Sequence, residues 1–198
     1  FGFNTTTGVD FSADQSGILL APKYVKNTDL ARIAFGQSVA VTPLQLITAA
    51  CAVINGGILY QPYFVKSMSD DDGKTLIQND PIEVRRVISQ ETSDLMRELL
   101  TGVVAQGGGK NAQVEGYNVG GKTGTAQKYR DGQIVTGVHI GSFFGFAPAE
   151  DPKVAVLVTV DEAQVYSDYG SIVAAPYAGE ILGKVLQYMQ IKPNAEGE

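Results

Sequence analysis

Gly120-Gly121-Lys122-Thr123-Gly124-Thr125-Ala126-Gln127 decides how this chain is read. Three glycines, two threonine hydroxyls and one cation fall within those eight residues. Glycine lets a backbone approach a ligand with no side chain in the way. A threonine hydroxyl can donate to a carboxylate, and a lysine beside it supplies a positive charge. An exposed strand edge carrying that set suits an anionic ligand that also has a carbonyl.

The same residues also fit a phosphate-binding loop. Gly116 to Thr123 reads Gly-x-x-x-x-Gly-Lys-Thr, and Val154 to Val160 followed by Asp161 looks like the strand that delivers a magnesium-binding acid. Such a loop needs a buried strand before it and a helix directly after it, because the helix N-terminus holds the phosphate. Asn111 to Glu115 is a poor buried strand, and Gly124, Thr125 and the Asp131-Gly132 turn leave no room for a helix. Nucleotide binding is therefore the weaker reading.

Working outward, three segments read as strands: the motif itself, Val138 to Phe146, and Val154 to Val160, a β-branched run expected to be buried on both faces. Turns at Asp131-Gly132 and Pro148 to Pro152 are too short for a helical crossover, so the strands form an antiparallel meander. A helix from about Pro176 to Gln190 offers Tyr177, Ile181, Leu182, Val185, Leu186 and Met189 as its apolar face.

Upstream, Ser89 caps a helix from Gln90 to about Gln106, with Leu95, Leu99 and Val103 in one row and Met96 and Leu100 widening it; Gly107-Gly108-Gly109 ends it. Thr42-Pro43-Leu44-Gln45 is a capping box with proline at the first helical position, and Leu44, Ile47, Cys51 and Ile54 share a face. Asn55-Gly56-Gly57 stops that helix. Ile58 to Val65 reads as extended, and Asp70-Asp71-Asp72-Gly73-Lys74 as a solvated hairpin tip. Its acids lack the alternation and distal Glu of a calcium loop. Thr28-Asp29 caps a short helix to about Phe35, and residues 1–24 read as loop. The fold class expected is α+β, an antiparallel sheet packed with helices.

Bulk properties narrow the function. The 198 residues carry 15 Lys and Arg against 21 Asp and Glu, a formal charge of −6, with no basic stripe, which disfavours nucleic acid. One cysteine excludes an intramolecular disulfide, and Cys51 reads as a small buried hydrophobe. No charge lies between Arg32 and Lys66, but Gln45 and Thr48 interrupt the best apolar run, so a buried helix is expected there, not a membrane span. The single histidine, His139, reads as a strand residue without catalytic duty, Asp161 and Glu162 as strand closers, and Tyr166 and Tyr169 as loop residues bordering a groove. No metal or cofactor is expected.

An ordered series of motifs then carries a resemblance: Phe1-Gly2-Phe3 with Thr7-Gly8-Val9-Asp10, Ala34-Phe35-Gly36-Gln37, Val41 to Gln45, Asn55-Gly56-Gly57, Gly121 to Ala126, Phe143-Phe144-Gly145-Phe146-Ala147-Pro148, and Tyr169-Gly170 before Ala174-Ala175-Pro176. Together they resemble the C-terminal half of the transpeptidase domain of class B penicillin-binding proteins, over residues 1–193, with 194–198 a polar tail; the tail resembles Gram-positive members, including those of sporulation. The resemblance implies an extracytoplasmic enzyme anchored to the membrane by an N-terminal helix absent here. That enzyme crosslinks peptidoglycan stem peptides ending in D-Ala-D-Ala by serine acyl transfer, and β-lactams acylate it. It implies that Lys122 organises charge, that Thr123 and Thr125 hold the substrate carboxylate, that Gly124 keeps the edge open, and that the backbone N–H of Thr125 is half of an oxyanion hole.

Two family motifs have no match. None of the ten serines is followed by lysine at +3 or asparagine at +2. The chain is therefore expected to be an incomplete domain with no catalytic nucleophile of its own, inactive alone. The missing N-terminal half is expected to pair with the Val154 to Val160 strand, whose open edge here favours self-association. A non-covalent module binding cell-wall peptide or a partner is the alternative.

Overall fold

The computed structural model describes residues 1–131 and 133–194, which fall into two compact units, one of Phe1–Gln90 and one from Glu91 on. Gly132, half of the expected Asp131-Gly132 turn, and residues 195–198 of the expected tail lie outside the described residues.

In the first unit, a loop leads through a 3-10 turn at Pro22–Tyr24 into α1 (Asn27–Ala34), where Asp29 accepts from the Lys26 backbone at 3.0 Å. α2 (Pro43–Ile54) begins on the expected reciprocal cap: Thr42 Oγ1 accepts from Gln45 N at 3.1 Å, and Gln45 Oε1 accepts from Thr42 N at 3.0 Å. Its buried face differs from the expected one. Gln45, Ala49, Ala52 and Ile54 are buried, whereas Leu44, Ile47 and Cys51 are half-buried. Leu and Ile recur all round this helix, so periodicity did not single out a face; the small Ala49 and Ala52 mark the one that packs closest. The Gln45 amide goes inward because it also donates to Thr5 O at 2.7 Å and Ser16 O at 2.9 Å, which satisfies two loop carbonyls.

β1 (Ile58–Gln61) pairs antiparallel with β4 (Ile82–Arg86), and β2 (Ser67–Ser69) with β3 (Thr75–Gln78). The Asp70 to Lys74 turn closes that second hairpin as expected, with Asp70 Oδ1 accepting from Lys74 N at 2.8 Å.

The second unit holds most of α3 (Gln90–Ala105), then β5 (Gly120–Arg130), β6 (Gln133–Ala147), β7 (Val154–Asp161), α4 (Gly170–Val173) and α5 (Ala175–Tyr188). The three strands form the expected antiparallel meander in the order β5-β6-β7. One sheet face presents Phe143, Val156, Val158 and Val160 to Ala178, Leu182 and Leu186 of α5. The opposite face carries Phe144 and Phe146, whose rings lie 6.0 Å apart.

Three expectations are corrected here. On α5 the buried residues are Ala175, Ala178, Gly179, Leu182 and Leu186, while Tyr177, Ile181 and Met189 are exposed. On α3 they are Ser93, Leu100 and Val104, while Leu95 and Leu99 are exposed. In α5 small residues let the backbone come close to its neighbour, with Gly179 against Ala112, and large side chains flank that contact, whereas α3 buries Leu100 and Val104. β7 is half-buried, not buried on both faces, because β6 is its sole strand neighbour among the described residues.

Candidate functional site

β5 places the motif at an edge of the sheet, since among the described residues it pairs only with β6. In register, Lys122 faces Phe144, Thr123 faces Phe143, Gly124 faces Ser142 and Thr125 faces Gly141. Strand alternation puts Lys122 and Gly124 on one sheet face, and Thr123 and Thr125 on the other.

Lys122 is exposed, and its Nζ donates to the Thr123 carbonyl at 2.9 Å. That carbonyl is thus reachable by a side chain and is not sealed inside the ladder. Thr125 is half-buried, and its Oγ1 accepts from the Gly170 N–H at 3.2 Å. A hydroxyl has one proton and two lone pairs, so this bond leaves the proton free to donate. Gly120, Gly121 and Gly124 have a packing reason that sequence reasoning missed. A Cβ would lie 2.2 Å from Phe146 Cζ at the first, 2.5 Å from Phe143 Cζ at the second and 2.5 Å from Ser142 Oγ at the third. These glycines admit β6 side chains.

The segment after Thr123 excludes the phosphate-loop reading. β5 continues as strand to Arg130, so no helix N-terminus stands where a phosphate would sit.

Charges cluster at the far end of β5. Lys128 bonds the Asp161 carboxylate and lies 3.6 Å from Glu162, and Arg130 reaches Glu162 at 2.6 Å. The hydrogen bond to Asp161 is the main reason the Lys128 ammonium is held above its ordinary value. Asp161 does close β7, as expected.

His139 is not an isolated strand residue. Its Nδ1 lies 2.8 Å from Asp168 Oδ2, and that hydrogen bond holds the Asp168 carboxyl below the usual range. No local sequence signal joins these residues, which are 29 positions apart. Tyr166 is fully exposed and Tyr169 largely so. Residues 137–138, 162–166 and 168 border an open groove of about 510 Å³. The larger cavity, about 650 Å³, lies in the first unit among apolar residues including Val9, Pro43 and Leu44. Its one carboxylate, Asp14, accepts through Oδ2 from the Thr7 N–H and hydroxyl and from the Gly8 N–H.

No helix among the described residues is long and apolar enough to cross a membrane.

Known proteins place this arrangement. The family model described as the penicillin binding protein transpeptidase domain matches residues 1–183. Stage V sporulation protein D of Bacillus subtilis is 47% identical over 98% of this chain and 30% of its own length. Peptidoglycan D,D-transpeptidase FtsI of Escherichia coli is 30% identical over 98% of this chain and 32% of its own length. Among solved structures, penicillin binding protein 3 of Mycobacterium tuberculosis complexed with ampicillin superposes with a TM-score of 0.88 at 27% identity, covering 98% of this chain and 45% of that one. The chain thus spans about a third of the curated relatives it matches. With the Lys-Thr-Gly strand at a sheet edge and a family match that takes in both units, the chain belongs to the penicillin-binding protein transpeptidase family.

Proposed function

We propose that this chain is the Lys-Thr-Gly-bearing part of a peptidoglycan D,D-transpeptidase, and that the outer edge of β5 binds the C-terminal carboxylate of a stem peptide. The observation that carries this reading is the Thr125 hydroxyl, which accepts from Gly170 and keeps its proton for a ligand, on the same strand edge as Lys122. Thr123 and Thr125 hold the carboxylate, and a hydrogen bond to a charged group contributes about 1.5–3 kcal/mol. Lys122 sets the positive potential of the groove. The Thr125 backbone N–H stabilises the oxyanion that forms when a serine attacks the penultimate D-Ala carbonyl. The terminal D-Ala then leaves, and an amine of a second stem peptide resolves the acyl-enzyme. β-Lactams enter by the same carboxylate contact.

Serine and general base both come from outside these residues, because no serine here has lysine three positions on. The open edge of β7 is completed by a strand from the rest of the domain, and the isolated chain self-associates there. The whole protein works outside the cytoplasm, tethered by a membrane helix. The names of two relatives, peptidoglycan D,D-transpeptidase FtsI of Escherichia coli and stage V sporulation protein D of Bacillus subtilis, support the cell-wall role but say nothing of the tether.

Fluorescent penicillin tests the assignment in two arms. The chain alone should acquire no covalent label, and a stoichiometric adduct on it would overturn the division of labour. A hybrid in which this chain replaces the matching residues of the Bacillus subtilis relative should be labelled, with Lys122→Ala cutting the labelling rate by about a hundredfold, the worth of a preorganised charge contact. Equal labelling of the two hybrids would remove Lys122 from the site.

A further inference from the structure

We infer that His139 and Asp168 are a positioning pair that aims the Thr125 hydroxyl, acting through Gly170 and without touching the ligand. The inference rests on the carboxylate reading of Thr125 for its use, but not for its geometry.

The chain between β7 and α4 is held at both ends by one residue. At its start, the Glu162 N–H donates to the His139 carbonyl at 3.3 Å. At its end, the Asp168 carboxylate meets His139 Nδ1 at 2.8 Å, with both side chains largely sheltered at 30% and 20% exposure. The His139 ring also lies 6.5 Å from that of Tyr169, tilted by 31°. A loop bracketed in this way has little freedom to shift along β6.

The bracket sits beside the motif. His139 faces Gln127 in the ladder, and Gly141, two residues on, faces Thr125. Residues 139 and 141 share a sheet face with Thr123 and Thr125. At Gly141 the returning segment lies directly on the strand, since a Cβ there would meet Val173 Cγ2 at 2.5 Å and the Asp168 carbonyl at 2.7 Å. Two residues past Asp168, the Gly170 N–H reaches Thr125 Oγ1 at 3.2 Å.

The chemistry follows from the hydroxyl's inventory. Thr125 Oγ1 carries one proton that can swing among staggered positions. A backbone N–H fixed on one lone pair biases that proton away from Gly170 and toward the open edge of β5. The bias lasts only while Gly170 stays in place; Asp168 anchors the chain two residues before it, and Asn111 Nδ2, donating to the Ser171 carbonyl at 2.7 Å, anchors the residue after it. Without the His139 partner, Asp168 has an uncompensated carboxylate that moves toward water. Gly170 then follows, and Thr125 loses its orientation. The low titration range of Asp168 agrees with a charge-assisted bond in the folded chain.

A pair that merely staples a loop would give stability and nothing more. The test therefore reads the Thr125 bond itself. Amide hydrogen exchange at Gly170 should speed up by about two- to tenfold in His139→Ala and Asp168→Ala, the worth of one hydrogen bond, with α5 amides unchanged. Asp168→Asn keeps an acceptor oxygen for the ring and should restore most of the protection. Acetyl-D-Ala-D-Ala, titrated by NMR, should bind His139→Ala more weakly by the same factor, and that penalty should vanish in a Thr125→Val background. Unchanged Gly170 exchange, or a penalty that persists undiminished beside Thr125→Val, would overturn the positioning role. Exchange that responds as stated, in a chain that shows no measurable dipeptide binding, supports the pair and overturns the carboxylate reading instead.

Discussion

Replacing Gly170 with alanine probes the joint between α4 and the motif strand. The new Cβ would lie 2.2 Å from the Ser142 carbonyl oxygen, 2.3 Å from the Gly124 carbonyl oxygen and 2.8 Å from the Ser142 nitrogen. All three are backbone atoms of the β5–β6 ladder, so no side chain can swing aside. The start of α4 must lift by about 1 Å to reach ordinary contact. That movement breaks the bond to Thr125 and disturbs the packing of Val173 on Gly141. Overpacking costs about 1–3 kcal/mol and the lost hydrogen bond about 1 kcal/mol, so the expected destabilisation is about 2–4 kcal/mol. Urea unfolding followed by a methyl resonance of Leu182, fully buried in the same unit, reads this directly. Gly102→Ala is the control. It lies within α3 with nothing within 4 Å of its added Cβ, and should stabilise by about 0.5–1 kcal/mol. A Gly170→Ala chain within about 0.5 kcal/mol of wild type would refute the close approach of α4 to β5 and β6.

Three further outcomes follow from burial and pairing. Leu182→Ala should cost about 2–5 kcal/mol, whereas Ile181→Ala, 42% exposed on the neighbouring position, should cost under about 1 kcal/mol; equal losses in urea titrations would mean α5 is rotated from the face described. Desolvation pushes the Cys51 thiol up to about 11 from 9.0, so the folded chain favours the protonated form. Its contribution to stability is full below pH 9 and declines as pH rises toward 11, and at pH 8 a thiol reagent should label the folded chain far more slowly than the urea-unfolded one. Light scattering should find the chain self-associated, and Leu157→Lys, which puts a charge midway along β7, should shift it to monomer; a wild-type monomer at all concentrations would remove the open-edge argument.

What the sequence disclosed was local or short-range. The start of α2 was legible because Thr42, Pro43 and Gln45 complete their cap within four residues. The meander was legible because its connections are too short for any alternative, and the strand character of the motif because Gly124 and Thr125 forbid a helix there. The helix faces were not. Hydrophobic periodicity weights large side chains, but α2 and α5 pack through Ala49, Ala52, Ala178 and Gly179, where small size is what matters, and α3 buries Leu100 and Val104 while the equally periodic Leu95 and Leu99 stay exposed. β4 was invisible because Ile82–Arg86 is exposed along its whole length and pairs with β1, more than twenty residues back. The candidate site was legible as a list, Lys122 to Thr125, but not as a geometry. Gly170 meets Thr125 across 45 positions and Asp168 meets His139 across 29, and no local pattern marks either contact.

The central claim is that the outer edge of β5 recognises a carboxylate at a peptide end. NMR titration with acetyl-D-Ala-D-Ala and with its C-terminal amide tests it most directly, because the two probes differ only in that charge. The account predicts amide shifts centred on Lys122 to Gln127 with the free acid, weak or absent shifts with the amide, and loss of the difference in Thr125→Val. Equal shifts from both probes, or shifts centred elsewhere in the chain, would contradict it.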